Sequence, residues 1–174
     1  MENEELLDFV SQNDEVIDKK LKSEIYKNNQ KNFRVINGFI FDGKSKIWIP
    51  QRHPNKVLFP LHLDASIGGH VKSEETYLQA FIRESKEEVN LDITKIEYRE
   101  IAYLNPFKNN LSAFMKVYLI TSAQTPKYNR NDFINFHWLT PDEIISKLKI
   151  IPGKSDLYFL AELLKKTITR KFHE

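Results

Sequence analysis

Between Thr76 and Leu91 the chain has little choice of structure. Thr76 is followed three residues later by Gln79, so each side chain can satisfy a free backbone donor of the other, and a helix is expected from about Tyr77 to Val89. Asn90 suits the left-handed residue that ends such a helix. Leu78, Ile82 and Val89 form its expected apolar stripe, with Ser85 interrupting it. On this helix Glu84, Glu87 and Glu88 stand at i, i+3 and i+4, and three carboxylates share one face within a turn. Like charges at this spacing cost about 0.2–0.5 kcal/mol per pair. Two arrangements relieve that repulsion. One is a solvated surface with Arg83 and Lys86 as counter-charges; the other is a hard divalent cation, which takes oxygen ligands from a few carboxylates and substrate phosphates.

The elements around this helix mix strands and helices without strict alternation, and the expected fold class is α+β. Leu6 to Val10 and Glu15 to Lys20 flank the turn cluster Gln12-Asn13-Asp14 and suit a hairpin. Val35 to Phe41 and Ile47 to Ile49 are joined across Asp42-Gly43, a second hairpin. Arg52 to Leu63 reads as a loop, and a short strand near Ala65 to Ile67 meets Gly68-Gly69. Ile101 to Leu104, Phe114 to Thr121 and Phe133 to Leu139 read as strands. Thr140-Pro141-Asp142-Glu143 opens a helix to about Lys149, and residues 155–172 form a final amphipathic helix.

Composition limits the partners. At 174 residues, with 41% hydrophobic side chains, the chain suits one domain with its own core. A formal charge of +2 is too small for an extended nucleic acid or a membrane surface, so any polyanion it binds is expected to be small. With no cysteine, disulfides, thiolate zinc sites and cysteine nucleophiles are excluded, and a reducing, cytoplasmic setting is expected. Met1 to Asp8 is acidic and no apolar run reaches the length of a membrane span.

The segment Gly69 to Leu91 resembles the Nudix box, G-x5-E-x7-R-E-U-x-E-E-x-G-U with U aliphatic. Gly69, Glu75, Arg83, Glu84, Glu87, Glu88 and Leu91 fall on its positions, while Ser85 and Asn90 depart from an aliphatic residue and a glycine. The flanking residues, Ile47 to Arg52, Lys56, Phe59-Pro60, Leu63-Asp64 and Gly68-Gly69-His70, resemble the branch related to isopentenyl-diphosphate isomerase. His137 to Pro141 resembles the strand-to-helix turn that usually follows. The resemblance implies an α/β/α sandwich around a mixed β-sheet. Residues 1–174 then form a single Nudix domain, with a hairpin and lead-in over 1–32, a core over 33–150 holding the box at 69–91, and the C-terminal helix.

It also implies metal-dependent hydrolysis of a phosphoanhydride bond in a nucleoside di- or triphosphate or related nucleoside diphosphate derivative, with magnesium or manganese. Glu84, Glu87 and Glu88 would be metal ligands, Glu84 doubling as the base; Gly68-Gly69 would let a backbone carbonyl, that of Gly69, approach the metal. Arg83 would orient a box glutamate, and Glu75 would either brace Arg83 or bind a further ion. No Asp or Glu lies between Glu100 and Asp132, so any further acid must come from Asp64, Asp132 or later. Arg52, Lys56 and His70 are candidates to hold phosphate, and Trp48, Tyr103, Phe107 and Phe114 to stack a base, each against a purely structural role. Two alternatives are an isomerase and a silent nucleotide-binding regulator. The isomerase resemblance lacks its cysteine, since Gly68 stands there, and its strand acid, since Phe114 to Thr121 has none.

Overall fold

The computed structural model describes residues 4–171. Strands β1 (Leu6–Val10) and β2 (Val16–Leu21) pair as the expected hairpin, and a short helix α1 (Lys22–Lys27) follows without having been signalled by any apolar period. The main sheet contains β3 (Arg34–Phe41), β4 (Ile47–Arg52), β5 (Ile67–His70), β6 (Tyr98–Leu104), β7 (Phe114–Thr121) and β8 (Phe133–Leu139). Its order is β6-β7-β3-β4-β8, with β5 also paired to β3. Only β3 and β7 run parallel; the other pairs are antiparallel, which makes the sheet mixed. The helices are α2 (Tyr77–Val89), α3 (Pro106–Asn109), α4 (Pro141–Lys147) and α5 (Leu157–Lys171). The expected end of the last helix, Phe172, lies outside the described residues. No helix among the described residues is long and apolar enough to cross a membrane.

Alternation along β3 sends Phe39 and Phe41 to one face of the sheet and Ile36 and Ile40 to the other. The first face packs on α4 and α5 through Ile144, Leu157, Leu160 and Leu164, and the second on α2 through Ala80, Phe81 and Val89. The result is an α/β/α sandwich. A fork in β3 makes room for the site. Its C-terminal end pairs with β4 at Ile40–Trp48 and Phe41–Ile47, whereas the same edge pairs with β5 from Val35–His70 to Gly38–Ile67. Buried Ser66 bridges the fork, accepting from Ile40 N at 2.9 Å and donating to Trp48 O at 2.5 Å.

Two expectations are corrected. The strand expected over Ala65 to Ile67 starts at Ile67 and runs through the glycines to His70, because pairing with β3 supplies its backbone partners. On α2 the buried stripe is Ala80, Phe81, Glu84, Ser85, Glu88 and Val89, while Leu78 is exposed. The helix is therefore rolled toward its carboxylates, and two of them face the protein.

Candidate active site

Local signals hold α2 in place. Thr76 and Gln79 make both hydrogen bonds of the capping box, and Asn90 ends the helix in the left-handed region at φ 53°. Strand β5 passes beneath the rolled face of the helix. A Cβ built on Gly69 would lie 2.0 Å from Glu84 Oε1, so Glu84 rests in a cradle that any other residue would fill. Glu88 Oε2 accepts a 2.8 Å hydrogen bond from Gly68 N. Glu87, on the outer edge of the helix, is exposed.

Arg83 ties the box together. Its Nε and Nη2 donate to the two oxygens of Glu75 at 2.8 and 2.9 Å, Nη2 also donates to His70 O at 3.0 Å, and Nη1 donates to Glu84 Oε1 at 2.5 Å and to Glu87 Oε2 at 3.5 Å. Glu75 Oε2 also accepts from Lys72 N at 2.9 Å. Burial alone would raise the Glu75 pKa, but the hydrogen bonds from Arg83 and Lys72 N outweigh it and lower the value. Glu84 and Glu88 go the other way. Burial raises the Glu84 pKa against the pull of Arg83; burial, with Glu84 and Asp64 as neighbouring charges, pushes Glu88 well above the usual carboxylate range.

These acids open on a cleft whose other walls come from distant segments. The N-terminal segment and α1 contribute Glu5, Lys22 and Tyr26. The loop after β4 contributes Arg52, Lys56 and Phe59, and Asp132 and Lys154 complete the rim. Arg52 donates to Asp64 Oδ2 at 2.7 Å and to the carbonyls of Leu58 and Phe59; Lys56 donates to Asp132. Asp64 and Asp132, both considered as further acids, are thus paired with cations. His70 lines the cleft but is clasped by Tyr26, whose hydroxyl is 2.9 Å from Nε2, and stacks on Phe33 at 5.7 Å. Burial first, then the cations Lys22, Lys154, Arg83 and Arg52, hold its pKa well below the usual imidazole value, so the ring is neutral near pH 7.

None of the four aromatics expected to stack a base reaches the cleft. Trp48 and Phe114 are fully buried, since their strands are covered on both faces; Trp48 packs among Tyr128, Phe133 and Phe136. Phe107 sits on α3 with its ring 5.9 Å from Phe114, and Tyr103 hydrogen-bonds Asp14. Tyr26 and Phe59 line the cleft instead. Neither carried a signal, because α1 is short and Phe59 lies in an irregular loop. Lys154, in the turn Pro152-Gly153-Lys154, had a turn signature but no chemical one.

The donor set suits a hard divalent cation. Among the described residues no three His, Cys, Asp or Glu side chains already converge as a ready coordination shell, because Glu84 and Glu88 each commit one oxygen to Arg83 and Gly68 N. The other oxygens, Glu84 Oε2 and Glu88 Oε1, take no hydrogen bond from the described residues, and neither is sealed from solvent. Together with exposed Glu87 they leave an oxygen-only donor set facing the cleft.

Comparison with known proteins identifies a family. A family model described as NUDIX domain matches residues 31–161. An uncharacterized Nudix hydrolase of Nostoc, all7351, is 48% identical over 94% of this chain and 97% of its own length. A Nudix hydrolase of Deinococcus radiodurans is 40% identical over 94% of each chain. The crystal structure of DR0079 from Deinococcus radiodurans superposes with a TM-score of 0.86 at 40% identity, covering 91% of this chain and 98% of that one.

Proposed function

The chain belongs to the Nudix family, and from that membership we propose that it hydrolyses a phosphoanhydride bond in a nucleoside di- or triphosphate, or a related nucleoside diphosphate derivative. The observation that carries the proposal is that Glu84, Glu87 and Glu88 line one cleft rimmed by Lys22, Arg52, Lys56 and Lys154. Acids on one side and cations on the other suit a substrate carrying phosphates and a divalent cation together. Glu84, Glu87 and Glu88, with the Gly69 carbonyl, would hold magnesium or manganese, which supplies charge neutralisation at phosphorus and a more acidic water.

The protein's own contribution is placement. Glu75 fixes Arg83, Arg83 fixes Glu84 Oε1, and Gly69 leaves space for that carboxylate. Glu84 Oε2 remains to take the proton of the attacking water. Neutral His70 stiffens the wall through Tyr26 and Phe33. The isomerase alternative has no support at its two key positions, since Gly68 bears no side chain and β7 carries no acid.

The test is a nucleotide panel that includes isopentenyl diphosphate, assayed with magnesium, with manganese and with excess chelator. Release of phosphate or pyrophosphate only with metal is expected. Undiminished release in chelator, or turnover of isopentenyl diphosphate alone, overturns the reading.

A further inference from the structure

Gly68 and Gly69 are adjacent in β5 but serve different ends. A side chain at Gly69 would collide with Glu84, whereas a Cβ at Gly68 would find only ordinary contacts and no backbone strain: Lys154 Nζ at 3.4 Å, Asp64 Oδ1 at 3.6 Å and Asn37 Oδ1 at 3.7 Å. Packing does not demand a glycine at 68. What its missing side chain leaves is a small recess beside Lys154 Nζ, and Gly68 and Lys154 both line the carboxylate cleft.

We propose that Lys154 is a substrate-binding residue that takes a phosphate oxygen of the nucleotide in this recess. The inference rests on the reading above and adds to it the group that holds the phosphate. The other cations of the cleft are engaged: Lys22 donates to Glu5 at 3.0 Å, Arg52 to Asp64 at 2.7 Å, and Lys56 to Asp132. Lys154 Nζ stands 3.5 Å from Asp64 Oδ2 and makes no hydrogen bond to any described residue. Asp64 already accepts from Arg52 and from Ala65 N, so Lys154 adds a positive charge that this carboxylate does not need.

The backbone that carries the lysine is anchored. Its N–H donates to Leu63 O at 2.7 Å, Gly153 bridges Leu63, and Leu157 N at the start of α5 donates to the Lys154 carbonyl at 3.1 Å. An ammonium with no hydrogen bond of its own, carried on an anchored turn and lining the cleft, matches a phosphate oxygen.

The competing role for Lys154 is charge balance for Asp64 and Glu88, and the test separates the two. Binding of inorganic pyrophosphate in the presence of magnesium is measured by calorimetry for the parent, Lys154→Gln, Lys154→Arg and Gly68→Ala, alongside KM and kcat for the nucleotide turned over fastest and the unfolding temperature of each protein. A charge-assisted hydrogen bond predicts pyrophosphate affinity weaker, and KM higher, by about tenfold or more in Lys154→Gln, with kcat within about threefold. Partial rescue in Lys154→Arg and a similar KM defect in Gly68→Ala are expected. Parent-like pyrophosphate affinity and KM in Lys154→Gln, even with a lowered unfolding temperature, overturn the proposal, as does a parent that binds no pyrophosphate. Should Lys154→Gln not fold, parent-like values in Gly68→Ala overturn it. Lysine-dependent pyrophosphate binding by a parent that hydrolyses no nucleotide leaves the phosphate site standing and removes the proposed function.

Discussion

At the scale of single residues, three glutamates with the same side chain occupy three environments. Glu84 is nearly buried over Gly69 and held by Arg83, Glu88 is buried against Gly68 N, and Glu87 stands in solvent. A carboxylate that only holds metal can be replaced at the cost of occupancy, which mass action restores; one that accepts the proton cannot. Glu87→Gln is therefore expected to raise the magnesium concentration needed for half-maximal activity while leaving kcat at saturation within a few-fold. Glu84→Gln is expected to lower kcat at saturating magnesium by about 100-fold or more. Magnesium titrations of the two variants decide it. A Glu84→Gln enzyme fully rescued by metal would remove Glu84 as the base. The spacing of these acids was readable from the sequence because a helix places i, i+3 and i+4 together whatever surrounds it. Their different burial was not, because it depends on how far α2 is rolled against β5.

Among the elements, the β1–β2 hairpin was legible from its turn cluster, but its role was not. Asp14, at φ 64° in the turn, accepts from Arg34 Nε at 2.6 Å and from the hydroxyls of Tyr77 and Tyr103 at 2.9 Å each, pinning the hairpin to β3, α2 and β6. Farther along the hairpin, Asp8 accepts from Ser73 Oγ and Glu74 N, and Leu6 O accepts from Ser73 N. The hairpin thereby braces the loop that leads into α2. Asp14→Ala leaves the part-buried Arg34 without its carboxylate and puts a Cβ-bearing residue with no local hydrogen bond in the left-handed region. It should cost about 3 kcal/mol in denaturant unfolding. Asp14→Asn keeps a residue tolerant of that conformation and an acceptor oxygen, and should cost clearly less. Equal losses in both variants would mean that neither the turn conformation nor the retained acceptor matters at this position.

For the molecule as a whole, folding concentrates negative charge where water is scarce. Burial raises the Glu88 pKa above its ordinary 4.5, with Glu84 and Asp64 adding to the effect. The folded state then binds a proton at Glu88 more tightly than the unfolded chain does, so the contribution of this group to stability is present below pH 4.5 and is lost as pH rises through the folded-state value. Glu75 and Asp42, whose values are lowered, contribute with the opposite sign, so the Glu88 effect is isolated by difference. In chelator, the unfolding temperature of Glu88→Gln relative to the parent should become more favourable as pH is raised from about 5 to about 8. Added magnesium should stabilise the parent more than the variant and reduce the gap. A difference that is flat with pH would show that Glu88 titrates as it does in the unfolded chain.

What the sequence determined by itself was local: the capping box of Thr76 and Gln79, the Asn90 terminus, the turns at Asp14 and Gly43, and the register of the box acids. Each depends on groups within a few residues of one another, so the interactions that decide it are present in the chain order. The tertiary structure decided which acids are buried, that Trp48 and Phe114 belong to the core, and that Tyr26, Phe59 and Lys154 meet at the cleft. Those outcomes follow from the fork in β3 and from the roll of α2. Both are settled by packing two hydrophobic faces of one sheet against helices from distant parts of the chain, and no local preference encodes that choice.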